Sequence, residues 1–272
     1  MRSHHLLVHS AAAVCATITF VLNFLTLNAL FNKRKTLKQS KAVILVILWH
    51  YFFSSVALIH TLYMTLFLLG YARRMDDFVF WSGNFSYSLE ASIGVCNLFV
   101  AIGRVLVMWK PLTYHKNHSE TLQKTTLLTV ACVTVFTATA FAVHRTLPPS
   151  APRAFIDYID IRVVQSLHWF DASVSISNVV ITLVFINELR KYLSRTRLAL
   201  VSYSERTAKI NLLVYYQIIS EVVIISLPIL VTSVYNNAWR TSLPRKIGPY
   251  PLTVAALYTA VCSLLFYNKL NV

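Results

Sequence analysis

The sequence predicts an all-α membrane protein, a seven-transmembrane helix bundle with its amino terminus outside and its carboxyl terminus inside. Three observations carry that expectation. The 272 residues are 56% hydrophobic and only 13% charged, whereas soluble domains carry about 25% charged residues. Seven apolar runs, approximately 6–31, 42–70, 85–109, 124–144, 165–187, 210–235 and 249–268, each approach or exceed the length of about 20 residues that a helix needs to cross a bilayer. The basic residues alternate in density between these runs. Of the 25 Lys and Arg, 16 fall in segments 32–41, 104–124 and 188–209 or at Lys269, and the denser side of a membrane protein is the cytoplasmic one. The chain reads as one such bundle over 1–272.

The first run contains the small residues "SAAAVCA", as a cleavable signal would. It is longer than the apolar core of about 7–15 residues found in signal peptides, and "NKRKTLKQSK" follows at once. It is expected as a retained helix carrying Thr19, Asn23 and Thr26 on its length. The third run holds Ser86, Glu90, Asn97 and Arg104. At about 100° per residue these four fall within roughly 40° of one line, so they form one inward stripe that ends at the cytoplasmic edge. The connection "RTLPPSAPRAFIDYIDIRVV" cannot start as a regular helix because of its prolines.

The fifth run, with "SLHWFDASVSISN", is the most polar. If it failed to span, both termini would share a side. It repeats the stripe pattern with Asp171, Ser175, Asn178 and Thr182. The sixth has Gln217 and Glu221 four apart and Pro228 seven further on. A mid-helix proline kinks a helix and frees a carbonyl. The tail after Tyr267 is "NKLNV".

Ionisable groups at mid-bilayer cost about 2.5–3.5 kcal/mol on insertion scales, so they face the bundle interior. Glu90, Asp171 and Glu221 therefore line a ligand cavity or belong to a switch network. Asn23, Asn97 and Asn178 are expected as interhelical hydrogen-bond glue.

The net charge of +15 does not imply nucleic acid, because the basic residues sit in short clusters between apolar runs. Cys15, Cys96, Cys132 and Cys262 lie inside those runs, where thiols pack as small hydrophobes. No HExxH, GxSxG or paired metal ligands occur. Neither an enzyme, a metal site nor a cofactor is expected. Trp81, Trp169, Trp239 and Tyr250 near outer ends, and Trp49 and Trp109 near inner ones, read as interfacial belts. Two sequons occur. "NFS" at Asn84 is a possible glycosylation site close to the membrane, and "NHS" at Asn117 is cytoplasmic by charge.

"RVLVMWKPLTY" places Pro111, Leu112 and Tyr114 seven, eight and ten residues beyond Arg104. This resembles the end of the third helix in rhodopsin-like G-protein-coupled receptors, where an Asp-Arg-Tyr triplet leads into a Pro-Leu-x-Tyr loop. Gly103 and Val105 depart from the triplet. Asn23 resembles the first-helix asparagine and Pro228 the sixth-helix proline. Ser226 replaces the usual tryptophan, "SLLFY" keeps only Tyr267 of Asn-Pro-x-x-Tyr, and the outer cysteine pair is missing.

The whole is similar to the nematode serpentine chemoreceptors, with a lean to class XA. That resemblance implies a plasma-membrane receptor of sensory neurons and their cilia, bound to lipid, for a small odorant-like ligand. It implies a heterotrimeric G protein at Arg104, Pro111, Leu112, Tyr114 and Tyr267, with Pro228 as hinge. It also implies a ligand pocket among Ser86, Glu90, Asp171, Glu221 and Tyr258. The rival class is a transporter or channel that uses the same carboxylates, against which stands the lack of an internal repeat.

Overall fold

In the computed structural model seven long helices run between short connections. Residues 2–32, 41–109, 119–147, 154–198, 205–239 and 248–270 are described. The helices are α1 (Arg2–Asn32), α2 (Lys41–Leu69), α3 (Asp76–Trp109), α4 (Ser119–Val143), α5 (Ile161–Leu198), α6 and α7 (Tyr250–Leu270). α6 comprises an α-helical part Glu205–Glu221, a π turn Val222–Ser226 and a second α-helical part Leu227–Trp239. Among the described residues there is no strand, only one isolated bridge between Arg145 and Ile159. All seven helices contain a stretch long and apolar enough to cross a membrane.

α3 is the central post. It touches α2, α4, α5, α6 and α7, while α1 lies between α2 and α7. Large side chains such as Phe53, Met64, Ile93, Tyr258 and Phe266 are fully buried at these seams, and Phe24, Phe52, Phe136 and Leu183 point outward. That outward apolar surface suits lipid, which lets a helix bundle present hydrophobes on its outside.

Polar residues do not interrupt the helices, because their hydroxyls fold back onto the preceding turn. On α5, Ser166, Ser173 and Ser177 donate to the carbonyls of Arg162, Trp169 and Ser173 at 2.8–3.0 Å. Such back-bonding hides a hydroxyl from hydrocarbon. With Ser175 and Asn178 turned inward and buried, the fifth segment keeps a lipid-compatible surface despite its composition.

α3 starts at Asp76, well ahead of the apolar run expected from 85. Asp76 and Asp77 occupy its first turn, where carboxylates complement the helix dipole. The polar residues Ser82, Asn84, Ser86 and Ser88 that follow face the bundle and not lipid, so hydropathy underestimates the helix. α2 ends at Gly70, whose φ of +88° is the left-handed cap that glycine adopts without strain. Tyr71 N–H then bonds back to Leu66 O at 2.9 Å.

The same end of the bundle carries a plug. A single 3₁₀ turn, Phe155–Tyr158, tucks into the top of α3 and α4. The Phe155 ring lies 5.1–5.9 Å from the rings of Tyr87, Phe141 and Phe80. It fits only because residue 83 is glycine; a Cβ there would stand 2.5 Å from the Phe155 ring.

Polar contacts hold the plug down. Tyr158 donates its hydroxyl to Asp76 at 2.5 Å, and Arg145 Nη2 donates to Asp77 at 2.6 Å. The Arg145 guanidinium also sits 4.5 Å over the Phe80 ring. Arg74 bonds Asp76 through Nε at 2.8 and 3.0 Å, which keeps its guanidinium above its usual range. All four cysteines are free, so this clasp fastens the α4–α5 connection to α3 without a disulfide.

Candidate functional site

Directly beneath the plug lies a space with two lobes. The first is bounded by α3, α5, α6 and α7 and, counted out into open solvent, leaves about 540 Å³ unfilled by protein atoms. Glu90, Asp171, Glu221, Pro228 and Tyr250 border it. The second, about 430 Å³ with open solvent likewise included, is walled by Tyr87, Phe141, Phe155, His168 and their neighbours. Glu90 and Asp171 border both lobes and so stand at their junction. Among the described residues neither carboxylate has a hydrogen-bond or ion-pair partner, and Glu90 Oε2 is buried. Glu221 differs. Asn178 Nδ2 donates to its Oε1 at 2.6 Å.

Beneath the space, four helices are stitched by side-chain amides. Asn178 on α5 also donates to Gly94 O on α3 at 3.1 Å. Gln217, one turn before Glu221 on α6, donates to Asn97 Oδ1 at 3.1 Å. Asn97 donates in turn to the Tyr258 hydroxyl on α7 at 2.8 Å. These side chains are at most 3% exposed. In an apolar interior a paired polar group holds its partner to one geometry, because leaving either member unpaired is costly. The network therefore fixes the relative positions of α3, α5, α6 and α7.

Glu221 is also the residue at which α6 changes its winding. It precedes the π turn Val222–Ser226, and Leu227 N–H bonds back to Val222 O. Pro228, one residue on, has no N–H to give, and the wider turn absorbs that loss. A wall of the space and a discontinuity in α6 are thus adjacent in the chain.

The remaining expected residues lie as follows. Arg104 is half-buried near the far end of α3, the end opposite the plug, and Tyr267 is half-buried late in α7. Pro111, Leu112 and Tyr114 lie outside the described residues. Ser86 is buried but bonds Ser82 O at 2.8 Å and does not border the space. Tyr258 stands deeper, within the amide network. Asn23 is fully buried, with both polar side-chain atoms lacking a protein partner among the described residues.

Three residues have partners that the sequence did not show. Asn84 is fully buried, donating to Ala138 O at 3.1 Å and accepting from Ser88 at 3.2 Å. A glycan on that nitrogen would displace α4, so the sequon is a packing residue. The indole N–H of Trp49 donates to Ser92 Oγ on α3 at 2.7 Å. Tyr250 borders the space, with its hydroxyl donating to Thr232 at 2.5 Å. Sequence reasoning missed Tyr87 and Phe155 for want of any local signal.

The chain matches the family model described as serpentine type 7TM GPCR chemoreceptor Srbc over residues 1–143. That is more than half of its length. The chain belongs to the Srbc chemoreceptor family. No curated protein matches it. Within the serpentine chemoreceptors the match is to Srbc, in place of the class XA leaning that the eroded motifs suggested. It spans α1–α4, with the central post and Glu90, whereas Asp171, Glu221 and Pro228 lie beyond it. An Srbc receptor is a multi-pass membrane protein of the G-protein-coupled type, and such families act through G proteins and small ligands. The family is typically non-enzymatic.

Proposed function

We propose that this Srbc chain is a chemosensory receptor of the plasma membrane of sensory neurons and their cilia. It binds a small odorant-like molecule in the space beneath the plug and signals to a heterotrimeric G protein at the end of the bundle that carries Arg104. The amino terminus is outside and the carboxyl terminus inside, as the distribution of Lys and Arg favours. Arg104, Tyr267 and the Pro111, Leu112 and Tyr114 loop form the coupling face. Pro228 and the π turn before it form the hinge.

The observation that carries this reading is the position of Glu221. It borders the space, it is held by Asn178, and it immediately precedes the π turn of α6. A ligand that binds better when α6 is swung outward shifts the population toward that state. The contact it makes near Glu221 acts at the hinge itself. Shifts of this kind correspond to coupling energies of about 1–3 kcal/mol.

Intramembrane carboxylates suit a transporter as well. Transporters pair such sites with broken helices at matching places in two repeats. Among the described residues the π break occurs in α6 alone, which favours the receptor. The deciding experiment is nucleotide exchange on a panel of G proteins, with wild type, Arg104→Ala and Glu90→Gln compared at equal surface expression. Ligand-driven exchange that Arg104→Ala abolishes supports the reading. Uptake of a radiolabelled solute with no exchange on any G protein overturns it.

A further inference from the structure

We infer that the two-lobed space takes a small organic cation, with its ammonium between Glu90 and Asp171 and its apolar body against Tyr87, Phe141 and Phe155. This rests on the space being the receptor's ligand site. Three carboxylates border it, and no Lys or Arg does among the described residues. Glu221 is answered by Asn178 at 2.6 Å. Glu90 and Asp171 have no such donor, although they share the junction of the lobes.

Two unanswered carboxylates at one junction in a low-dielectric interior repel each other and lack the solvation that water would give. A cation placed between them relieves both penalties. The one basic side chain nearby, His168, directs Nδ1 to Val164 O at 2.7 Å. A protonated amine also finds what it needs beyond charge. Tyr87, 5% exposed, has a hydroxyl without a protein partner and borders the second lobe. Its ring, stacked on Phe155 at 5.1 Å, and the edge-on Phe141 give the second lobe the apolar wall against which the body of the amine packs. Specific sites combine apolar walls with a few placed polar groups in this way.

The alternative is that the carboxyls share a proton and the space holds a neutral molecule. The test is thermal-shift binding to the purified full chain in lipid nanodiscs. The probes are a panel of monoamines, each with the alcohol and the carboxylate of the same skeleton, phenethylamine, phenethyl alcohol and phenylacetate among them. Amines should stabilise the protein where their alcohols and carboxylates do not. Glu90→Gln and Asp171→Asn should each weaken amine binding about 10- to 100-fold, the loss expected for a charge-assisted contact. Glu90→Asp, which keeps the charge, should retain most of it, and this separates lost recognition from lost folding.

Alcohols binding as well as amines, amines binding equally to wild type and Glu90→Gln, or no amine in the panel binding, each overturns the inference. The receptor reading fails separately. Amine binding without nucleotide exchange on any G protein leaves the cation site standing and removes the signalling role. Exchange driven only by neutral odorants does the reverse.

Discussion

Asn178 donates both amide hydrogens at once, to Glu221 Oε1 at 2.6 Å and to Gly94 O at 3.1 Å. One side chain on α5 thereby ties the wall of the ligand space on α6 to the backbone of the central helix. Removing it takes from the buried Glu221 carboxylate the hydrogen bond that Asn178 supplies. Asn178→Ala should lower stability by about 1–3 kcal/mol, the cost of orphaning a buried polar group. Glu221→Gln should cost less, because its amide oxygen still accepts from Asn178. Thermal unfolding in detergent, read on the two variants side by side, checks the order.

The plug depends on the missing side chain at Gly83. Gly83→Ala places a methyl 2.5 Å from the Phe155 ring, and overpacking of this kind costs about 1–3 kcal/mol. Phe155→Ala alone should cost about 3–5 kcal/mol, as for other buried rings. The double variant should cost less than the sum of the two, because the methyl then enters vacated space. A double-mutant cycle on thermal stability reads that coupling directly. Strict additivity would mean that the two residues do not meet.

Tyr158, buried and bonded to Asp76, has its phenol pushed well up, chiefly by burial and then by that carboxylate. A raised value means that the folded state holds the proton more tightly than the unfolded chain, whose tyrosines titrate near pH 10. The stabilisation is complete below about pH 10 and declines as pH rises through the folded value. Tyr158→Phe should therefore lose stability at neutral pH and show a shallower decline above about pH 10. Parallel pH–stability curves for the two proteins would contradict this account of the clasp.

The π turn and Pro228 give α6 a built-in break. Pro228→Ala restores a backbone donor and favours continuous α-helix. It should leave ligand binding within a few fold while lowering ligand-driven nucleotide exchange by about 5-fold or more, the lower end of typical coupling. Equal exchange in Pro228→Ala and wild type would place the hinge elsewhere.

The seven helices were legible in the sequence because each apolar run is long and the lipid demands it. What hydropathy could not read were the places where polar residues face protein. Asp76 to Asn84 looked like a loop edge because Asp76, Asp77 and Asn84 lower the local hydropathy, although Asn84 is buried. Asn84 consequently read as a possible sequon close to the membrane and not as a packing residue. The partners of the Tyr250 hydroxyl and the Trp49 indole were hidden because position along a helix says nothing of the face on which such a group finds its partner.

The carboxylates of the space were visible as residues out of place in a membrane. That Glu90 and Asp171 meet at the junction of two lobes, with Glu221 on the wall of one, was not visible, since the three lie on three helices. The fit of Phe155 against Gly83 left no local trace at all. It exists only once the α4–α5 connection folds back over α3.

The central claim is that the bundle crosses the membrane seven times, with the plug and ligand space facing outward and Arg104 facing the cell interior. Epitope tags on both termini of the full chain, probed with antibody before and after permeabilising intact cells, test it most directly. The account predicts an amino-terminal tag that is reachable at once and a carboxyl-terminal tag that is reachable only after permeabilisation. Both tags on the same face would contradict it.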